Sequence, residues 1–360
     1  MNNPPKHIDA LVRKEVRALD AYRVPTAEGL IKLDAMENPH PLPAQFREPW
    51  LARLAEVEVN RYPDPRCRAL KALVRATFGI TDADGLMLGN GSDELIQMLA
   101  LLIGGPGRII LAPTPTFAMY QLITVATGGE FVGVPLGADF SLDGDALLDA
   151  VVRHKPACVF LAWPNNPTGN CFDEAVILEV LARAPGVVVL DEAYFAFCRR
   201  SFLPHRPHFP DLMVLRTLSK SGMAGLRLGM LIAHPHWTAQ LEKVRLPYNI
   251  NSLTQCSAAF YLEHHDIMQQ QADRILEQRK VVFERLANQP GVRPCPSDAN
   301  FILFKLDRDA EQVHARLKAQ GILIKNLHRP GTPLENCLRV TIGTESENNR
   351  FLEALGDSVN

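Results

Sequence analysis

A single lysine, Lys220, follows two hydroxyl side chains, Thr217 and Ser219, at the end of the apolar run in VLRTLSKSGMAGLRLG. The glycine-rich segment that comes next holds an arginine, Arg227. A lysine amine is a nucleophile that forms a Schiff base with a carbonyl compound. Hydroxyl and guanidinium groups are common donors to phosphate oxygens. This segment therefore has the side chains to hold a phosphorylated carbonyl compound beside one amine.

Three further polar side chains follow other strand-like runs. Asn166 comes after ACVFLAW in the segment WPNNPTGN, and Asp191 and Tyr194 come after GVVVL in the segment DEAYF. Ligands of open α/β sheets bind beyond the carboxyl ends of the strands, so we expect these side chains to meet Lys220 at one site. Each alone has an ordinary structural explanation as a solvated loop lysine, a helix cap or a turn. Their joint placement at strand ends favours a common site.

A fourth polar cluster lies in LGNGSDELIQ, where a glycine turn leads into a helix. Ser92 is the predicted N-cap, and the backbone around Gly91, Ser92 and Asp93 would offer free N–H groups to a phosphate. The alternative is a capped surface helix, because the segment lacks the third glycine of the dinucleotide-binding fingerprint. Combined with the lysine, carboxylate, phenol and amide, the cluster describes a site for pyridoxal 5′-phosphate, whose ring nitrogen takes a carboxylate partner.

The chain that must position these groups has 360 residues, which predicts two domains. From residue 86 to 232, β-rich runs alternate with amphipathic stretches, which predicts an α/β fold with a mostly parallel central sheet flanked by helices. A long polar helix from about 266 to 289 and short strand–helix units follow. We predict an N-terminal arm (1–43) that joins the small domain, a large cofactor-binding domain (44–246) and a small α+β domain (247–360).

The elements of the large domain are predicted from their periodicity. Helices are expected over residues 44–60 and 66–78. The strand candidates cover residues 108–112, 131–136, 157–163, 186–191, 212–217 and 229–234.

Composition and charge argue against several classes of protein. The net charge is −2 with no basic tract, which argues against nucleic acid as a partner. No run approaches the ~18 apolar residues of a membrane span, and the first residues lack the apolar core of a signal peptide. The seven cysteines are scattered, which favours a reduced, cytoplasmic protein. The groups His205/His208 and His264/His265/Asp266 lack a second ligand pair at zinc spacing, so we expect no metal site.

The sequence resembles the fold-type-I aminotransferases, and among them the histidinol-phosphate aminotransferases. The resemblance runs from about residue 20 to 355 and rests on LDAMENPHPLP, RYPDP, GNGSDELIQ, PTFAMYQ, WPNNPTGN, VVLDEAYFAF, RTLSKSGMAGLRLG, NINSLTQ and CLRVTIGT. It implies a homodimer with shared active sites. It also implies a pyridoxal-phosphate-dependent transaminase of histidine biosynthesis, which exchanges an amino group between L-histidinol phosphate and 2-oxoglutarate or glutamate.

The resemblance implies a role for each matching residue. Lys220 would bind the cofactor aldehyde, and Asp191 would pair with the pyridine nitrogen. Tyr194 and Asn166 would hydrogen-bond the phenolate oxygen of the ring, and Phe117, where many relatives have tyrosine, would stack on its face. The cofactor phosphate would be bound by Gly91, Ser92, Asp93, Thr217, Ser219, Arg227 and, from the neighbouring subunit, Tyr62.

The resemblance places the substrate anion on Arg339, with Tyr22, Asn38 and Lys325 as further substrate-binding residues. Arg339 shares a strand face with Cys337 and Thr341 because side chains alternate along a strand. Two departures from the family pattern concern the substrate. Relatives often show N-A-N-E-N-P where this chain has DAMENP, and some have arginine at the position of Lys325, whose amine lacks the bidentate fork of arginine.

Other functions remain open from the sequence. The nearest are an aromatic-amino-acid aminotransferase and a threonine-phosphate decarboxylase of the same fold. A different class is a non-catalytic, aminotransferase-like sensing domain of a transcription regulator. That domain would need an attached DNA-binding segment, for which the N-terminal arm is too short.

Overall fold

The computed structural model of the chain describes residues 7–21 and 24–359. The helices in these ranges are α1 (Ile8–Leu11), α2 (Lys14–Arg17), α3 (Arg47–Ala55), α4 (Arg68–Phe78), α5 (Ser92–Ile103), α6 (Met119–Ala126), α7 (Gly144–His154), α8 (Glu174–Arg183), α9 (Phe195–Cys198), α10 (Pro235–Leu241), α11 (Ser252–Glu263), α12 (His265–Ala287), α13 (Ala310–Ala319) and α14 (Glu345–Val359). The strands are β1 (Ile31–Leu33), β2 (Gly85–Asn90), β3 (Ile109–Thr114), β4 (Glu130–Pro135), β5 (Cys158–Ala162), β6 (Val187–Asp191), β7 (Leu212–Thr217), β8 (Leu228–Ala233), β9 (Val292–Pro294), β10 (Phe301–Leu306), β11 (Ile322–Asn326) and β12 (Cys337–Thr341).

Seven of the strands in these ranges form one sheet in the order β2-β8-β7-β6-β5-β3-β4. All run parallel except β8, which is antiparallel to both of its neighbours. The strand β6 is buried along its whole length, as expected of a parallel sheet with both faces covered. Its side chains alternate between two apolar clusters, with Val188 and Leu190 on one face and Val187 and Val189 on the other. The predicted parallel sheet flanked by helices is confirmed.

A second sheet, counted over the described residues, has five strands in the order β1-β11-β12-β10-β9. The N-terminal segment contributes β1, which lies parallel to β11, while the other pairs are antiparallel. Side chains alternate between the two faces of β12, as predicted. Leu338 and Val340 join the apolar core of this sheet, and Cys337 on the other face joins a cluster of the large sheet. Arg339 therefore faces the seven-stranded sheet.

Three details differ from the sequence predictions. The helix expected over residues 44–60 covers only Arg47–Ala55, after a short 3₁₀ turn. The strand β2 was missed because its glycine-containing run was interpreted as a turn, yet it pairs along its length with β8. Ser92 is not the N-cap of α5. Gly91 is, with φ 82° and ψ 166°, a conformation that only glycine adopts readily, and no side chain caps the helix.

The helix α11 packs against α3 and α4, two helices that we assigned to the large domain, although the sequence places residue 247 onward in the small domain. The long helix α12 begins the part of the chain that packs on the second sheet. The domain boundaries predicted after residues 43 and 246 therefore remain predictions. Within the described part of the chain, no helix is both long enough and apolar enough to cross a membrane.

Candidate active site

A pocket of about 90 Å³ lies at the carboxyl ends of β5, β6 and β7 and at the N-terminus of α5. The parallel strands end at one edge of the sheet, so the loops that follow them converge there. The structure brings ten of the predicted site residues to the wall of this pocket: Ser92, Asp93, Phe117, Asn166, Asp191, Tyr194, Thr217, Ser219, Lys220 and Arg227.

Asp191 is the last residue of β6 and is buried. Its Oδ2 accepts a hydrogen bond from the Tyr120 hydroxyl at 2.6 Å, and its Oδ1 accepts one from the Ala193 N–H at 3.1 Å. Burial raises the pKa of this carboxyl group to about 6, against the lowering effect of both hydrogen bonds. A cation placed in the pocket would offset the cost of keeping this carboxylate ionised.

Lys220 lies in the turn Ser219–Met223, which follows β7 and kinks at Gly222, where φ is 104°. Its Nζ donates a hydrogen bond to the Ala35 carbonyl at 3.0 Å. Burial of the amine, followed by the positive charge of Arg339, lowers the pKa of Lys220 to about 8. A lysine with such a pKa is neutral far more often near neutral pH than an ordinary lysine, and the neutral amine is the nucleophile.

Hydroxyl and guanidinium groups form a second cluster at the other end of the pocket. The Thr217 hydroxyl donates to Ser219 Oγ at 2.9 Å, and Arg227 Nη1 donates to the same oxygen at 3.3 Å. Arg227 Nη2 also pairs with Asp93 at 3.3 Å. A Cβ on Gly91 would lie 2.6 Å from Arg227 Nη2, so a side chain at this position would displace the guanidinium, and the φ of 82° there also favours glycine. The cluster has the donors of a phosphate site.

Arg339 reaches the pocket region from the second sheet and is buried. Its Nη1 donates to Asn166 Oδ1, its Nη2 donates to the Asp34 carbonyl at 3.0 Å, and its guanidinium lies over the Phe301 ring at 5.1 Å. Lys325 is its register partner on β11. Burial and then the charge of Arg339 lower the pKa of Lys325. The two cations lie side by side, and the negative charge of Asp34 partly offsets the effect of Arg339 on Lys325.

Five further predicted residues within the described ranges are not on the pocket wall: Gly91, Lys325 and Arg339, described above, and Asn38 and Tyr62. Asn38 donates a hydrogen bond to Gln271 on α12 at 2.9 Å. Tyr62 is 80% exposed and stacks on Tyr248 with ring centroids 4.4 Å apart. Tyr22 lies outside the described residues. The roles of all the predicted site residues remain predictions.

The sequence reasoning missed Tyr120, whose hydroxyl supports Asp191. Tyr120 is fully buried, stacks on Phe160 with centroids 4.5 Å apart, and meets the Phe117 ring edge-on at 5.6 Å. Phe117 lies in the loop just before α6, and Tyr120 lies in the first turn of that helix. The closeness of Tyr120 to Phe117 in the sequence was the available signal, and it does not name Asp191 as partner.

The fold and the pocket define an α/β protein that sets a lysine amine of lowered pKa opposite a buried carboxylate. Residues 28–355 match the family "aminotransferase class I and II". Histidinol-phosphate aminotransferase 2 of Nitrosococcus oceani is 49% identical over 345 residues, covering 96% of each chain. Histidinol-phosphate aminotransferase 1 of Ralstonia nicotianae is 46% identical over 354 residues, covering 97% of this chain and 94% of the relative. The chain belongs to the aminotransferase class I and II family and is an aminotransferase.

A solved structure has the same fold. The histidinol-phosphate aminotransferase of Sinorhizobium meliloti in complex with pyridoxal 5′-phosphate aligns with a TM-score of 0.86 and 22% identity, covering 97% of this chain and 98% of that one. The cofactor of the family is pyridoxal 5′-phosphate. The residues present fit it, since a buried carboxylate, a lysine amine and a glycine-lined cluster of phosphate donors face one pocket.

Proposed function

We propose that this aminotransferase exchanges an amino group between L-histidinol phosphate and 2-oxoglutarate or glutamate, in histidine biosynthesis. The observation that carries the proposal is the pair of cations, Arg339 and Lys325, beside the pocket that holds Lys220. Glutamate brings a carboxylate to the reacting carbon, whereas histidinol phosphate has none and brings a phosphate monoester. One cationic anchor must therefore accept two different anions in turn. The names of relatives 46–49% identical over nearly the whole chain support the same substrate.

The residues that would hold the cofactor divide by the part of it that they contact. Asp191 would pair with the ring nitrogen, and its two hydrogen bonds keep the carboxylate oriented. Asn166 and Tyr194 would donate to the phenolate oxygen, and Phe117 would pack on the ring. The phosphate would be bound by Arg227 together with Thr217, Ser219 and the backbone at Gly91, Ser92 and Asp93. When bound, the cofactor supplies an aldehyde that takes up amino groups and a ring that withdraws electrons from the neighbouring carbon.

Lys220 is the proposed nucleophile and the proposed base. Its Nζ would bind the cofactor aldehyde in the resting enzyme and, once released, move a proton at the substrate carbon that carries the amino group. The pKa of about 8 suits both tasks, because the amine can lose and regain a proton near neutral pH. The tight turn after β7 fixes where the amine can reach.

Arg339 is the proposed anchor of the substrate anion, with Lys325, Asn38 and Tyr22 as further contacts. Its guanidinium is held by Asn166 and by the Asp34 carbonyl, which orients the planar group. Arginine suits this task because its fork of N–H donors matches both carboxylate and phosphate oxygens.

We further propose a homodimer in which Tyr62 reaches the cofactor phosphate of the neighbouring subunit. The exposed, stacked pair of Tyr62 and Tyr248 supports this, since large exposed aromatic side chains are enriched at interfaces. A cytoplasmic location is proposed from the seven cysteines, none of which forms a disulfide.

Amino-donor profiling of the purified protein tests the substrate. Histidinol phosphate should be the donor with the highest kcat/KM, ahead of phenylalanine, tyrosine and phosphothreonine, with 2-oxoglutarate as acceptor. A preference for phenylalanine or tyrosine would make the chain an aromatic-amino-acid aminotransferase. Carbon dioxide release from phosphothreonine would make it a decarboxylase.

A further inference from the structure

A carboxylate lies next to the two cations of the proposed substrate anchor. Strands β1, β11 and β12 are neighbours in the second sheet. Leu33 on β1 pairs with Ile324 on β11, and the next residue of β11, Lys325, pairs with Arg339. Asp34 comes directly after Leu33 and so lies beside Lys325. The side chain of Asp34 is 5% exposed, so this row of three residues holds a buried negative charge beside two positive ones.

Two contacts hold Asp34 in this position. Its backbone carbonyl accepts a hydrogen bond from Arg339 Nη2 at 3.0 Å. Its carboxylate Oδ1 lies 3.1 Å from Lys32 Nζ, but that amine also pairs with Glu37. Lys32 shares its positive charge between two carboxylates, so part of the negative charge of Asp34 acts on the anchor. That charge raises the pKa of Lys325, against the stronger lowering by burial and by Arg339.

The charges in and around the row add up to one positive charge. Lys325 and Arg339 contribute two positive charges and Asp34 one negative charge, while Lys32 and Glu37 cancel each other. A phosphate monoester carries about −1.5 to −2 near pH 7, whereas a carboxylate carries a single negative charge. Coulomb repulsion by Asp34 is proportional to the charge of the anion, so it opposes a phosphate about twice as strongly as a carboxylate.

We propose that Asp34 is a specificity-determining residue of the anchor, whose charge lowers the affinity for doubly charged anions more than for singly charged ones. This rests on the proposed function, in which one anchor accepts a phosphate and a carboxylate in turn. An anchor with two unopposed positive charges would hold the phosphate substrate strongly, and the carboxylate substrate would compete with it poorly. Asp34 narrows this difference, and it acts at a distance, through its charge.

The sequence supplies a comparison for this position. Relatives often have asparagine as the first residue of N-A-N-E-N-P, where this chain has Asp34. Asparagine has nearly the same size and shape as aspartate and lacks its charge. Asp34→Asn therefore changes the charge of the row, while the backbone carbonyl can still accept its hydrogen bond from Arg339.

Sulfate and methanesulfonate are the probes for the test. Both present tetrahedral sulfonyl oxygens, and near neutral pH sulfate has two negative charges and methanesulfonate one. Their dissociation constants are measured by isothermal titration calorimetry at constant ionic strength, with holoenzyme, so that the phosphate of the cofactor occupies its own site. In Asp34→Asn, methanesulfonate should bind roughly fivefold more tightly and sulfate roughly 25-fold, because the energy doubles with the charge and the fold-change is squared. The KM for histidinol phosphate should fall more than the KM for glutamate.

Three further variants separate charge from shape. Asp34→Ala removes the same charge and should give the same gain in selectivity for sulfate, including where Asp34→Asn does not fold. Asp34→Glu keeps the charge and should keep the selectivity of the wild type. Glu37→Gln removes the other carboxylate from Lys32 and should change the selectivity less than Asp34→Asn does.

Equal fold-changes for the two probes in Asp34→Asn or Asp34→Ala would overturn the proposal, because a role in shape or stability does not depend on the charge of the anion. Sulfate binding that survives Arg339→Ala would overturn it as well, since the anion would then bind outside the anchor. The proposed function fails separately. If the wild-type chain rejects histidinol phosphate but its selectivity for sulfate rises in Asp34→Asn, the proposed substrate is wrong and the role of Asp34 stands.

Discussion

The two sheets contribute to the active site in different ways. The seven-stranded sheet supplies groups that stand just beyond strand ends, such as Asp191 at the end of β6 and Lys220 after β7. The five-stranded sheet supplies Arg339 from the middle of β12, with Lys325 next to it on β11. The first set follows from the convergence of parallel strands at one edge. The second set reaches the site only because one sheet packs against the other.

This difference separates the cofactor from the substrate. Residues at the strand ends form most of the pocket wall, to which Met36 is added from the segment after β1, whereas Arg339 is held by Asn166 on one side and by the Asp34 carbonyl on the other. Changes at the strand ends should therefore affect cofactor and catalysis together. Changes on β12 should affect substrates and leave the cofactor in place.

The largest effect is expected for Lys220→Ala. Loss of proton transfer by the amine should lower turnover by at least about 10²–10⁴-fold, and the covalent attachment of the cofactor should be lost as well. Borohydride reduction of the wild-type holoenzyme followed by peptide mapping should place the label on Lys220. Lys305→Ala on β10 is the control and should keep its activity. A label on another lysine would contradict the assignment.

Arg339→Ala tests whether the second sheet supplies the anchor for the substrate anion. Removing a charge-assisted contact to a desolvated anion should cost about 2–5 kcal/mol in kcat/KM for glutamate and for histidinol phosphate alike. The visible absorption of the bound cofactor should not change. Arg293→Ala, an exposed arginine on β9 of the same sheet, should behave as wild type. A loss with glutamate alone would move the histidinol-phosphate anchor to Lys325 and Tyr22.

Tyr120→Phe tests how a neighbouring hydroxyl affects the carboxylate that would bind the cofactor ring. Its hydroxyl stabilises the ionised form of Asp191, whose pKa burial already raises to about 6. Losing a hydrogen bond to a charged group costs about 1.5–3 kcal/mol, which raises the pKa of Asp191 by roughly 1–2 units. Protonated Asp191 cannot pair with a pyridinium cation, so cofactor affinity falls as pH drops through this pKa.

The affinity of the cofactor for Tyr120→Phe, measured between pH 5 and 8, should therefore fall off at a higher pH than in wild type. Tyr261→Phe serves as the control, because Tyr261 lies on α11 outside the pocket. Superimposable pH profiles for Tyr120→Phe and wild type would show that the hydroxyl does not tune Asp191.

The smallest effect is expected for Tyr62→Phe. A single hydrogen bond to the cofactor phosphate is worth about 1 kcal/mol, so cofactor affinity should fall roughly fivefold. Mixing Tyr62→Phe with Lys220→Ala subunits should give hybrid dimers with one intact site, which combines Lys220 from one subunit with Tyr62 from the other. The one active site of the hybrid should bind the cofactor with wild-type affinity, and a hybrid with the weakened affinity of Tyr62→Phe would contradict a shared site.

Local pattern was sufficient for much of the fold. The strand predicted at 212–217 coincides with β7, because a continuous apolar run bounded by polar residues is typical of a buried parallel strand. The polar groups after it could be assigned to a site because the carboxyl ends of such strands converge. The lysine, carboxylate, amide and phenol could therefore be assigned to one site from the sequence alone. The strand β2 was missed because its pairing with β8 depends on residues far along the chain.

The tertiary structure alone decided which partners these groups meet. Tyr120 donates to Asp191 across 71 positions, and Arg339 donates to Asn166 across 173 positions. Neither pair leaves a periodic signal, because periodicity reports which face of an element is buried and not what lies opposite. Sequence also failed to predict the N-cap of α5, which is Gly91 and not Ser92. The position of Arg227 next to Gly91 is a tertiary contact that the local sequence does not show. The sequence determined the chemical groups and the strand ends that carry them, and packing between the sheets decided their contacts and hence their pKa values.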